Sequence, residues 1–100
     1  MTKADIINEI SEKTGIEKVV VTQTIETFFK SMKGNMVKGN NIYFRGFGSF
    51  ILQHRKAKIG RNITKNTSVV IDEHFIPKFK PSKDFIEAVK SSESVKSKLK

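Results

Sequence analysis

An α+β fold is predicted for this 100-residue chain. Helical periodicity is confined to roughly the first 40 residues, alternating strand-like sequence begins near Asn41, and a basic segment separates two β-branched, aromatic-rich runs. The first helix follows from Thr2 as N-cap and Asp5 in the first turn, with Ile6, Ile7 and Ile10 as its apolar face and an end near Thr14-Gly15. A second helix is expected from Glu17 to Lys38, closed by Gly39. Along it Val21, Ile25, Phe28, Phe29, Met32 and Met36 fall in a stripe about 100° wide. Gly34 costs that helix about 1 kcal/mol against alanine and marks either a close helix contact or a weak point. The stripe exceeds what one short helix can cover, which favours dimerisation.

Asn41 to Arg45 alternates polar and apolar residues as a half-buried strand does, and Gly46-Phe47-Gly48 reads as a turn. Gly48-Ser49-Phe50-Ile51-Leu52 and Val69-Val70-Ile71 flank the basic run Arg55 to Asn66 and predict a long β-hairpin, an arm over about residues 53–76. Its outer half is basic, with a lone isoleucine near the tip, and it has too little apolar surface to hold itself together without a partner. A hairpin whose paired residue numbers sum to 128 would set His54 against His74 and Arg55 against Glu73. Two facing histidines without a third ligand are cross-strand polar neighbours rather than a metal site. Pro77 is expected to end the returning strand, Phe79 to rejoin the core, and Pro81-Ser82 to open a short helix from Lys83 to Lys90 carrying Phe85, Ile86 and Val89. Residues 91–100 read as a flexible, basic tail.

The net charge of +9 is unevenly placed. Residues 1–40 hold six lysines against five acidic residues, whereas residues 41–100 hold thirteen Lys or Arg against five. Such a surface attracts phosphate, whether of nucleic acid or of anionic lipid. The absence of cysteine excludes disulfides and thiolate chemistry. Lys3, Asp5 and Glu9 argue against a signal peptide, and no apolar run is long enough to cross a bilayer, so a soluble cytosolic protein without a membrane partner is expected. No nucleophile–base pair, metal spacing or phosphate-cradling loop is present, and Gly46-x-Gly48 lacks the third glycine of a dinucleotide site. No enzyme and no cofactor are expected.

Taken in order and spacing, Gly46-Phe47-Gly48-Ser49-Phe50, His54-Arg55, Gly60-Arg61-Asn62, Ile76-Pro77-Lys78-Phe79-Lys80 and Lys83 resemble the bacterial HU/IHF family of histone-like DNA-bending proteins, over residues 1–90. The resemblance implies an intertwined dimer: a helical base under a three-stranded antiparallel sheet, with a long β-hairpin arm and a short C-terminal helix. From Arg55 to Asn62 the arm would extend about 26 Å at strand rise. The family usually carries proline after the Arg-Asn of the arm tip, where this chain has Ile63, and a basic residue in the last helix, where it has Ile86. Lys65-Asn66 replaces the following Thr-Gly, and asparagine tolerates the left-handed turn.

The resemblance makes Ile63 the residue that inserts between base steps; alone, it would read as an incidental turn residue. Arg55, Lys56, Lys58, Arg61, Asn62 and Lys65 become arm contacts to groove and phosphate, and Lys3, Arg45, Lys78, Lys80 and Lys83 phosphate contacts on the saddle and flanks. A merely solvated basic face is the alternative for these cations. Phe47, Phe50 and Phe79 are assigned to core packing rather than to base stacking. The implied partner is double-stranded DNA, bound and bent with low sequence specificity by a nucleoid-associated homodimer. The rivals are a sequence-preferring IHF-like subunit of a heterodimer and an RNA- or ribosome-binding protein.

Overall fold

Thr2 starts the first helix, α1 (Lys3–Thr14), through a reciprocal cap: its Oγ1 accepts from the Asp5 N–H at 3.3 Å, and Asp5 Oδ2 accepts from the Thr2 N–H at 2.9 Å. This computed structural model describes residues 1–62 and 67–99, excepting the side chains of Arg61 and Asn62. Helix α1 ends at Gly15, whose φ of 73° lets its N–H reach the Ser11 carbonyl. Helix α2 (Lys18–Val37) begins without a side-chain cap. Ile7 and Val21 are the buried apolar side chains among the described residues, and Ile25, Met32 and Met36 are half-buried. Phe28 and Phe29, with ring centroids 5.7 Å apart, keep much of their surface exposed. Among the described residues a Cβ on Gly34 would meet nothing within 4 Å, so the close contact considered for this glycine is not made by any of them.

The chain divides into two units, Met1–Lys38 and Gly39–Lys100. In the second, β1 (Ile42–Phe44) leads through the glycine turn to β2 (Gly48–Arg55). Then come β3 (Lys58–Asn62), β4 (Thr67–Ile71) and β5 (His74–Pro81). Strands β1, β2 and β5 form an antiparallel sheet in the order β1-β2-β5, and β3 and β4 form a separate two-stranded ribbon. The long hairpin expected from sequence is therefore interrupted, at Lys56-Ala57 on one strand and Asp72-Glu73 on the other.

Pairing does not slip across the interruption. Arg55 lies opposite His74 before it and Lys58 opposite Ile71 after it, so paired numbers sum to 129 on both sides. This corrects the expected sum of 128: His54 faces Phe75, not His74, and Arg55 faces His74, not Glu73. The physical reason is aromatic. The observed register sets Phe50 opposite Phe79 with ring centroids 4.8 Å apart, whereas the other would have set Phe50 against Lys78.

Pro77 does not end the returning strand; β5 continues to Pro81. Its partner Leu52 turns its N–H away from β5, donating to Asn41 Oδ1 at 2.9 Å. Pro77 thus occupies a non-hydrogen-bonded pair on an edge strand, where a missing N–H costs nothing to the ladder. Pro81, four residues on, holds the equivalent position opposite Gly48.

Phe47 stacks on Phe85 at 5.3 Å and packs tilted against Phe79 at 5.2 Å, these three rings closing a cluster, and Phe44 meets Phe50 edge-on at 6.0 Å. These rings form the apolar layer between the sheet and α3 (Lys83–Lys90), which Ser82 caps by accepting from the Phe85 N–H. The Ser82 N–H donates to the Phe47 carbonyl at 2.9 Å and ties the glycine turn to the helix start. Where the sequence suggested an unstructured tail, Ser92 caps a single helical turn, α4 (Glu93–Lys96), followed by a 3-10 turn, Ser97–Leu99, with no buried side chain in either.

Gly48 is the least replaceable residue of this layer, since a Cβ there would sit 2.6 Å from both the Lys80 carbonyl oxygen and Phe79 Cε1. Gly48→Ala should destabilise the protein by about 1–3 kcal/mol, read as a lowered thermal midpoint.

Candidate nucleic-acid interface

Strand alternation sorts the sheet into two chemically different faces. Ile42, Phe44, Phe50, Leu52, Phe79 and their neighbours lie on one side. The other carries Tyr43, Ser49, Ile51, Gln53 and Arg55, with Lys80, Lys78, Ile76 and His74 opposite on β5. Arg55, Lys78 and Lys80 are exposed. The structure thus brings three expected contact residues onto one cationic face, away from the aromatic layer.

Two clefts gather more of them. One, of about 370 Å³, is lined by Tyr43, Arg45 and Lys80 together with Gly46, Gly48 and Ser82. The other, of about 480 Å³, lies at the interruption of the hairpin and is lined by Arg55, Lys56, Ala57, Lys58, His74 and Ile76. Cationic groups converging on a concavity suit a phosphodiester, which offers charge and acceptor oxygens together. Lys83 is exposed in the first turn of α3. Lys3 has a protein partner: its Nζ lies 3.2 Å from Glu26 Oε1, and this pair joins α1 to α2. Arg61 and Asn62 are placed in β3 by their backbone alone. Ile63 and Lys65 lie outside the described residues.

The histidines occupy the root of the arm but do not face one another. His54 Nε2 lies 3.0 Å from Glu73 Oε2, a contact between partly exposed groups, and His74 Nδ1 lies 2.8 Å from the Asp72 carbonyl oxygen. Both partners belong to the interruption, so these contacts hold the segment where the ladder lapses. Among the described residues no cluster of three or more His, Cys, Asp or Glu forms a metal site, and no helix is long and apolar enough to cross a membrane.

Two features escaped sequence reasoning. Tyr43 and Ser49 place hydroxyls on the cationic face; the alternation of Asn41 to Arg45, which turns Ile42 and Phe44 inward, was the available signal for Tyr43. The sequence singles out one isoleucine near the tip; among the described residues of the arm, Ile59 and Val70 lie opposite one another and are exposed. That pairing depends on the register.

A cationic sheet face continued by a two-stranded arm defines a class of DNA-binding architectural protein, and residues 1–90 match the family described as bacterial DNA-binding protein. The chain belongs to this family, that of HU and IHF, whose members are non-enzymatic. It is 34% identical over 95 residues to integration host factor subunit alpha of Anaeromyxobacter sp. (strain Fw109-5), covering 95% of this chain and 96% of that one. To integration host factor subunit beta of Ectopseudomonas mendocina (strain ymp) it is 37% identical over 95 residues, covering 94% and 100%. Among solved structures, HU of Anabaena cocrystallised with DNA superposes with a TM-score of 0.86 at 27% identity, covering 92% of this chain and all of the other. An HU variant from Thermotoga maritima gives 0.66 at 27% identity, covering 89% and 99%.

Because Lys78 and Lys80 are exposed and outside the aromatic layer, the double variant Lys78→Gln, Lys80→Gln should fold normally. It should weaken duplex binding uniformly across sequences and lower the slope of log K against log salt by about 0.9 for each phosphate that is no longer neutralised. A salt titration of affinity reads this directly.

Proposed function

We propose that this chain, as a homodimer in the bacterial nucleoid of the cytoplasm, binds and bends double-stranded DNA through the minor groove with low sequence specificity. The observation that carries the reading is the single cationic face: Lys78, Lys80 and Arg55 stand together on it, and Arg45, Lys56 and Lys58 line clefts at its two ends. Phosphate neutralisation supplies most of the affinity on such a face, and DNA shape and flexibility, rather than base identity, rank the sites. Ile63 is the proposed wedge between base steps, with Arg61, Asn62 and Lys65 holding the arm tip on the backbone. Unstacking costs a few kcal/mol, which the contacts of bent DNA offset. The exposed aromatic surface of α2 supports association with a second chain.

Likeness to IHF subunits supports a second reading, a sequence-preferring subunit of a heterodimer. Light scattering on the purified chain separates the two: a stable dimer alone supports the first reading, and a monomer or aggregate the second.

End-to-end FRET on short duplexes of arbitrary sequence tests the bending. The ends should approach on every sequence, with affinity falling steeply as salt rises. Ile63→Asp should preserve the melting midpoint and the fold while abolishing most of the approach of the ends; unchanged bending would remove the wedge role from this residue. Tighter binding to an RNA duplex than to its DNA counterpart would replace DNA with structured RNA as the ligand.

A further inference from the structure

We propose that Ile59 and Val70 form an apolar rung on the arm that packs against the deoxyribose walls of the DNA minor groove and makes the arm select DNA over RNA. The inference rests on the minor-groove reading given above and adds a specificity element to it.

The two residues are directly opposite in the β3–β4 ladder, and they are 76% and 69% exposed. The other face of the ribbon treats its aliphatics differently. There Ile71 is half-buried and lies over Gly60, its Cδ1 only 3.3 Å from where a glycine Cβ would stand. That face also carries Val69, 44% exposed opposite Gly60, so it covers its aliphatics in part, while the opposite face holds its apolar pair further out to solvent. Strand propensity alone does not require this, since threonine is equally β-branched.

The unbroken register says which face this is. Because pairs sum to 129 on both sides of the interruption, Ile59 and Val70 have the same parity as Arg55, His74, Lys78 and Lys80. The apolar rung keeps the parity of that cationic face and follows directly in sequence on the cleft lined by Arg55, Lys56 and Lys58, while Lys58, opposite Ile71, falls on the other face of the ribbon. A partner must then present an apolar strip bordered by anionic charge. The minor groove of B-form DNA does so: C–H surfaces of deoxyribose wall a channel about 6 Å wide between two rows of phosphates. In an RNA duplex the groove is wide and shallow and lined with 2′-hydroxyls, which the two aliphatic side chains would desolvate without offering a hydrogen bond.

The test compares the full chain with the double variant Ile59→Thr, Val70→Thr, which keeps β-branching and adds hydroxyls. Three duplexes of one sequence serve as probes: DNA, DNA with deoxyuridine replacing thymidine, and RNA. The variant should lose roughly tenfold in affinity for DNA and little or nothing for RNA, collapsing the DNA-to-RNA preference while the salt slope stays unchanged. Circular dichroism and the melting midpoint should be unaltered, because both side chains are exposed. Ile59→Val should shift the preference in the same direction by less. Equal losses on DNA and RNA, or no loss on either, would overturn the proposal. Weaker binding of the unmodified chain to deoxyuridine DNA would overturn it differently, by assigning the pair to thymine methyl groups in the major groove. An unmodified chain that binds no duplex would refute the DNA-bending reading itself, whereas one that bends DNA while the variant keeps its preference would refute only the role of this pair.

Discussion

The pairing of Phe50 with Phe79 governs the geometry of the second unit. Two rings 4.8 Å apart on opposed strands set a register, and a register in a two-period structure decides every side chain's face. A slip of one residue would turn Phe79 toward solvent and Lys78 and Lys80 toward the aromatic layer. The placement of cations thus depends on the packing of aromatics on the opposite side of the same strands. Gly48 belongs to this constraint, because any side chain there would collide with Phe79 and with the Lys80 backbone.

The ribbon beyond the sheet inherits this register although its hydrogen bonding is interrupted. Lys56-Ala57 and Asp72-Glu73 leave the ladder without adding a residue to either strand, unlike a bulge, which would reverse the faces on one side. His54 reaches Glu73 and His74 reaches the Asp72 carbonyl, so side chains replace ladder bonds at the root of the arm. The outcome is a cationic sheet face whose strands run on, in unchanged register, into an arm held mainly by local pairing.

The two units divide the labour differently. The helical unit fully buries Ile7 and Val21 and leaves Phe28 and Phe29 partly exposed, an arrangement suited to burying more surface against a second chain. The sheet unit gathers Phe44, Phe47, Phe50, Phe79 and Phe85 in one layer and sets Arg55, Lys78 and Lys80 on the other side of the sheet. Lys3 illustrates the separation: its charge meets Glu26 within the helical unit, whereas Lys78 and Lys80 remain open on the sheet. Basic residues that looked alike in sequence therefore have different partners.

The sequence by itself determined the α+β class, the Thr2 and Ser82 caps, the helix from Lys83 to Lys90, the glycine turn and the basic character of the arm. These are local properties, set by capping chemistry, by periodicity and by the φ values that Gly15 and Gly46 adopt. Register was not legible, because sums of 128 and 129 both close a hairpin and only the Phe50–Phe79 contact separates them. The course of β5 through Pro77 was hidden for a related reason: a proline breaks or spares a strand according to whether its position needs an N–H, and only the pairing of Leu52 with Pro77 shows that it does not. The exposed pairing of Ile59 with Val70 was likewise a decision of the tertiary structure, since two residues eleven apart in sequence become one surface only when the strands between them are aligned.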